Sequence, residues 1–481
     1  MSGKSILKSE DWMALILGLF VYVLSMGLLA RVDLLGWTVK ANVWTSLGKS
    51  IAPVSERFSG LGGPWSLVLT FLFLLGLMSL AAKGLGANVG RFAAGFAGVF
   101  GISFVCWVAG HFAYIAATKD KLGKFGIGWS MNLTGEAGLI LALAAGLIVG
   151  NFMPGLAAKM KEATRPELFI KTAIVIMGAA LGVKAIEALS LASAVLFRGM
   201  CAIVEAYLIY WAVVYYVARK YFKFSKEWAA PLASGISICG VSAAIATGGA
   251  IRARPIVPIM VSSLVVIFAV VELVALPFAA QLFLWQEPMV AGAWMGLAVK
   301  TDGAAVASGA ITDSLIRAQA LAETGVEYKE GWILMATTTV KVFIDIFIGV
   351  WAFILAILWC TVIDRKPGEK VRVVEIWERF PKFVLGYVGT FVATLALCAL
   401  VPEVIPTAKS AASEATGLRS LFFAMTFFSI GVVSNFRKLW EEGIGRLAAV
   451  YAVCLFGFII WVGLLISWIF FHGVKPPVVG T

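Results

Sequence analysis

Thirteen apolar runs of about 20 residues, parted by loops, fill most of this 481-residue chain. They lie near 12–30, 65–83, 92–117, 136–153, 168–187, 195–218, 228–248, 256–284, 291–309, 332–361, 383–401, 418–435 and 447–471. A run of that length crosses the hydrocarbon of a bilayer as a helix, whereas a barrel strand alternates over about ten residues. In lipid a peptide group has no water to bond, so the segment must satisfy its own backbone. Charged residues make up only 14% of the chain, against about a quarter in a soluble domain. The expected fold is an all-α polytopic membrane protein with about 13 transmembrane helices. Trp12, Trp65, Trp228, Trp332 and Trp359 mark interfacial ends of spans. The span at Trp12–Ala30 is long for a signal-peptide core and lacks a small-residue cleavage site, so it reads as a membrane helix.

The formal charge of +12 does not form a stripe that would hold nucleic acid. The basic residues sit in short loops, notably at Lys159–Arg165, Arg219–Lys226, Arg365–Lys382 and Arg437–Arg446. Even numbers of spans separate these loops, so all four fall on one side, the cytoplasm by the positive-inside rule. The amino terminus is then cytoplasmic and the acidic loop 310–331 outside, together with Lys119, Lys121, Lys124, Arg252 and Arg254. The six cysteines are scattered through apolar spans without a CxxC, which supports no zinc, haem or disulfide framework.

Two spans are interrupted. Pro231–Thr247 reads PLASGISICGVSAAIAT and Gly296–Gly309 reads GLAVKTDGAAVASG, with Ser242–Thr247 resembling Gly303–Ser308. Paired hydrophobic segments broken by small residues point to a secondary transporter's binding site, because a break leaves peptide groups unpaired at the midplane. A second repeat sets Leu168–Ile186 over Gly417–Phe436, with Leu181-Gly182-Val183 against Ile430-Gly431-Val432. These copies lie 249 residues apart and the broken segments 61 apart, which one tandem duplication does not explain.

Lys300, Asp302, Lys341 and Asp345 fall in two adjacent spans. A charge at the centre of a membrane helix costs about 2.5–3.5 kcal/mol, so these four either pair as internal salt bridges or line a solute path. In the second reading Lys300, Lys341 and the half-helix N-termini attract an anion. Thr301 or Asp302 caps one terminus, and Gly303 lets the backbone approach. The other terminus offers Ser237, Cys239, Gly240 and Ser242, with Thr337, Thr338 and Thr339 as further hydroxyls. Asp302 and Asp345 are the candidates for ion coupling, by proton or by sodium. Glu205 and Glu272 read as hydrogen-bonding across helices, with proton relay the alternative. Cys239 reads as packing and His111 as locally satisfied.

The array Ser237-Ile238-Cys239-Gly240, the small-residue run after it, the second broken segment followed by Val340-Lys341, and the paired Leu-Gly helices resemble the YeiH-type sulfate exporter family over about residues 136–471. The resemblance implies an inner-membrane transporter with inverted repeats and two crossing broken helices (231–247 and 296–309), similar to bile-acid-symporter-like and sodium/proton-antiporter folds. Residues 1–135 form an N-terminal extension of about three spans outside it, and 472–481 a short tail. Two positions depart from the family. Its Thr-x-His-Glu run is replaced by Val299-Lys300-Thr301-Asp302, and Asp345 stands where an Arg is usual.

The expected function is secondary active transport of a small anion, sulfate-like or a sulfonate, by alternating access with H+ or Na+ coupling. No resident cofactor or metal is implied, and no nucleophile–base pair, so the chain is read as a carrier and not an enzyme. An uncoupled anion channel and a non-transporting membrane subunit are the alternatives. The expected partners are the solute, the bilayer and, as an option, a second copy of the chain.

Overall fold

The computed structural model describes residues 9–117, 121–131, 135, 137–187, 189–254, 256–359, 363, 382–434 and 445–479. Among these, ten helices are long and apolar enough to cross a membrane, or eleven if the bent pair Ala137–Phe152 and Pro154–Met160 counts as one. The difference from thirteen has a physical origin. Both interrupted segments are broken into separate pieces, namely Lys226–Ser237 with Gly240–Ala250 and Pro288–Ala298 with Asp302–Thr324. Three of these pieces are too short to span alone, and the fourth carries Asp302, Asp313 and Arg317. The basic loops 364–381 and 435–444 lie outside the described residues.

The chain divides into two compact units. One holds residues 1–192 and 382–433 with a short piece of 322–324. Its centre is the helix Pro166–Glu187, apolar on nearly every side and buried on most of them. Small residues let its neighbours come close, as packing between membrane helices requires. A Cβ on Gly182 would lie 2.6 Å from the Phe391 carbonyl oxygen of Lys382–Leu400, and one on Gly431 would lie 2.5 Å from the Leu143 carbonyl of Ala137–Phe152. The two aligned glycines of the sequence repeat therefore serve the same contact with different partners. The first helix, Glu10–Met26, joins this unit through Asp11 and Lys171, 2.9 Å apart, and Glu10 and Arg165, 2.8 Å apart. A short antiparallel hairpin pairs Val39–Ala41 with Ile51–Pro53 and is tied to Gly62–Gly84 by Val39 N–H donating to the Thr70 hydroxyl.

The other unit holds 193–321, 325–381 and 434–481, and both broken helices. Its two flanking spans, Ser193–Lys220 and Gly445–Phe471, are each interrupted by a π turn, at Glu205–Tyr210 and Leu455–Ile459. Those turns start 250 residues apart, close to the 249 of the glycine repeat, and so extend it. The order of elements also reconciles the two repeat distances. The first half runs span, glycine span, π-turn span, broken helix, span. The second half runs broken helix, span, span, glycine span, π-turn span, the same series circularly permuted.

Candidate functional site: two helix breaks joined by the backbone

The first break falls at Ile238-Cys239, where the backbone leaves the helical region (φ −106°, ψ −84° and φ −144°, ψ 108°). The second falls at Val299–Thr301, with Val299 at φ −80°, ψ 127° and Thr301 at φ −106°, ψ 147°. Gly240 N–H donates to the Lys300 carbonyl at 2.6 Å, so the two interruptions satisfy one another. This approach demands glycine. A Cβ at residue 240 would meet Val265 Cγ1 at 2.4 Å and Thr301 Cγ2 at 3.0 Å.

Further peptide groups at the breaks are served by charges, two from intact spans and one, Lys300, from the second break itself. Lys341, on Trp332–Ile346, donates its ammonium to the Ile238 carbonyl at 2.9 Å. That oxygen lies at the carbonyl end of a half-helix, where the dipole favours a cation. Lys300 does the same for the second half-helix, donating to the Leu297 carbonyl, and its Nζ lies 4.4 Å from the centre of the Tyr210 ring. Lys300 N–H in turn donates to Glu272 Oε2 at 3.0 Å, while the Tyr451 hydroxyl donates to Oε1 at 3.0 Å. The bracing is reciprocal. The span after the first break supplies Glu272 to the second, and the span after the second supplies Lys341 to the first.

Lys300 and Lys341 are 1% and 2% exposed, which makes them buried cations among helix ends. Thr301 caps Asp302–Thr324, its hydroxyl accepting from Ala304 N–H at 3.2 Å, which settles the choice between Thr301 and Asp302 as cap. Gly303 sits in the first turn of that helix. Cys239 is buried at the N-cap of Gly240–Ala250. Ser237 is fully buried, and its hydroxyl has no hydrogen-bond partner among the described residues. Asp345 is buried near the end of Trp332–Ile346. The side chains of Ser242 and Asp302 lie outside the described residues.

The expectation for the Thr337–Thr339 hydroxyls needs correction. Thr337 donates to the Gly292 carbonyl at 2.7 Å and Thr338 to the Leu334 carbonyl at 2.9 Å, so those two are committed to backbone. The sequence reading left out Tyr451, Tyr210 and Trp294. Tyr210 donates to the Ile459 carbonyl at 2.8 Å and Trp294 to the Ile460 carbonyl at 2.9 Å. Both acceptors lie at the end of the second π turn, where widening of the helix frees carbonyls. No spacing in the chain announces those contacts.

Residues 101–450, which include both breaks with Lys300, Lys341 and Glu272 but stop one residue short of Tyr451, match the family described as conserved hypothetical protein 698. The chain belongs to that family. A UPF0324 membrane protein of Nitrosomonas europaea is 43% identical over 478 residues, 98% of this chain and 97% of that one. Another, from Rhodopirellula baltica, is 30% identical over 424 residues, covering 86% of this chain and 68% of the relative. An uncharacterized protein of Archaeoglobus fulgidus is 54% identical over 165 residues, 30% of this chain and 88% of its own. The Nitrosomonas match takes in most of the N-terminal extension. With relatives named as membrane proteins and many apolar helices of its own, the chain is a membrane protein.

Proposed function

We propose that this protein is a secondary active transporter of a small anion, such as a sulfate-like oxyanion or a sulfonate, working by alternating access. The observation that carries the reading is the hydrogen bond from Gly240 N–H to the Lys300 carbonyl, which brings two broken helices together at their interruptions. Half-helix N-termini begin at Gly240 and Asp302, and free N–H groups at such termini bind anions. Lys300 and Lys341 add positive charge where lipid would forbid it unless a polar guest or a counter-charge repays the cost. Backbone and hydroxyls of 237–242 and 301–303 would coordinate the solute. The coupling ion is H+ or Na+, with Asp302 and Asp345 as its first candidates. On this reading the protein is a carrier and not an enzyme, in the inner membrane, with its amino terminus cytoplasmic.

The test is solute flux into proteoliposomes holding the purified chain, with an imposed proton or sodium gradient. Accumulation of an anion against its own gradient supports the proposal. Flux that only runs downhill, whatever the ion gradient, identifies a channel instead. Absence of flux for sulfate, sulfite, sulfonates, bicarbonate and carboxylates alike rejects it.

A further inference from the structure

Glu205 opens the π turn of the span Ser193–Lys220 and is fully buried. Neither of its carboxylate oxygens has a hydrogen-bond partner among the described residues. An ionised carboxylate stripped of water and of partners is far more costly than its neutral acid. The positive charge of Lys300 offsets part of that cost, but the nearest hydroxyl is committed elsewhere. A Cβ built on Gly463 would lie 2.7 Å from the Tyr210 hydroxyl and 3.5 Å from Glu205 Oε1, so those two oxygens share the space beside that glycine. The Tyr210 hydroxyl has spent its single hydrogen on the Ile459 carbonyl. It can offer Glu205 only lone pairs, which suit a carboxylic O–H and repel a carboxylate.

Among the described residues, few groups face Glu205. Its own span brings Cys201 and Tyr210. The second break brings Lys300, whose ammonium is held on the Leu297 carbonyl and over the Tyr210 ring. The span Gly445–Phe471 contributes Gly463, which has nothing to titrate. Trp332–Ile346 packs on the same stretch through Tyr207, whose hydroxyl donates to the Ile344 carbonyl, and it carries Lys341 and Asp345. The broken helix beside the π turn, Lys226–Ser237, has its ionisable groups, Lys226 and Glu227, at its far end.

We propose that Glu205 is a proton-binding residue of the transport cycle, carrying H+ as a neutral acid in the conformation described here and releasing it to water when the site opens. This rests on the transporter reading, and it adds a coupling group to Asp302 and Asp345. The π turn is what makes it workable. The extra residue in the turn breaks the regular ladder at the position where the acid sits, and such turns concentrate at functional sites.

Two measurements on the full-length protein test it, and the first needs no solute. The infrared spectrum of the detergent-purified wild type at neutral pH should contain a protonated-carboxyl band that is absent from Glu205→Gln. An identical carboxyl region in the two proteins would overturn the proposal. The second uses proteoliposomes and radiolabelled sulfate. Wild type should show both sulfate counterflow and accumulation driven by a pH gradient, and Glu205→Gln should keep counterflow and lose accumulation. If Glu205→Gln still accumulates sulfate, or if a well-folded variant loses counterflow too, Glu205 is not the coupling group. Wild type that moves no sulfate in either mode would instead count against the transporter reading for that anion, with the infrared result deciding the proton.

Discussion

Replacing Glu272 with leucine separates a braced break from ordinary packing of a buried polar group. Glu272 is buried and takes two hydrogen bonds, from Lys300 N–H and from the Tyr451 hydroxyl, both at 3.0 Å. Apolar replacement of a buried charge is often harmless, because the charge paid for desolvation. Here it cannot be, because Lys300 N–H belongs to a helix break and has no other place to go. Each buried donor left unsatisfied costs about 1–3 kcal/mol, so Glu272→Leu should lose about 2–6 kcal/mol when both are stranded. Glu272→Gln keeps an acceptor for Lys300 N–H in its amide oxygen, while its amide nitrogen turns toward the Tyr451 oxygen and leaves the Tyr451 hydrogen without its acceptor. It therefore strands one donor where leucine strands two, and loses about 1 kcal/mol of charge assistance at the bond it keeps. Tyr451→Phe removes one donor but retains the stacking on Phe268, whose ring centre is 4.3 Å away. In a double-mutant cycle Glu272→Leu with Tyr451→Phe should recover about 0.5–3 kcal/mol relative to additivity. The assay is unfolding of the detergent-solubilised chain followed by tryptophan fluorescence. Leucine as stable as wild type, or glutamine as damaging as leucine, would refute the reasoning.

Other perturbations follow from the same contacts. Gly240→Ala should cost about 1–3 kcal/mol by overpacking against Val265, and adding Val265→Ala should restore part of the melting temperature. Asp313 accepts from Gly331 and Ile333 N–H at 3.0 and 3.1 Å, capping Trp332–Ile346, so Asp313→Ala should lower stability by about 0.5–2 kcal/mol in the same unfolding assay. At the start of the first half-helix, hydrogen bonds from the Arg254 side chain and backbone hold the Glu227 carboxyl below its ordinary value, and they set Arg254 beside the Arg219–Lys226 loop, not on the opposite side as the span count has it. A depressed carboxyl stabilises the fold above the unfolded value of about 4.3, and that contribution disappears as pH falls through the lower folded value. Acid titration of unfolding should therefore be shallower for Glu227→Gln than for wild type.

Both interruptions were legible because Gly, Ser and Thr crowd together within two apolar runs, more densely than at packing faces such as those of Gly182 and Gly431. The first break falls at Ile238-Cys239 and the second at Val299–Thr301, inside the stretches the composition marks. The backbone partners of the two lysines were not legible. Their ammoniums reach the carbonyls of Leu297 and Ile238. Half-helix ends are acceptors without a side chain, so no residue type advertises them. Glu272 was expected to bond across helices and does, whereas Glu205 has no such partner among the described residues. His111 bonds within its own turn, to the Trp107 carbonyl at 2.8 Å, as expected. The π turns depend on how neighbouring spans pull on a carbonyl, which a single segment's composition does not encode.

The most direct measurement is a thermal-shift titration of the purified full-length chain with sulfate, sulfite, sulfonates, bicarbonate and carboxylates, run beside Ser237→Ala. Removing a hydroxyl that has no partner among the described residues should leave the stability without ligand nearly unchanged, which makes the variant a clean control. If the paired breaks hold an anion, at least one of these should raise the wild-type melting temperature saturably, by about 2.7 kcal/mol of stabilisation at a hundredfold excess over Kd, and the shift should be weaker in Ser237→Ala. No stabilisation by any anion, or equal stabilisation of the two proteins, would contradict the account.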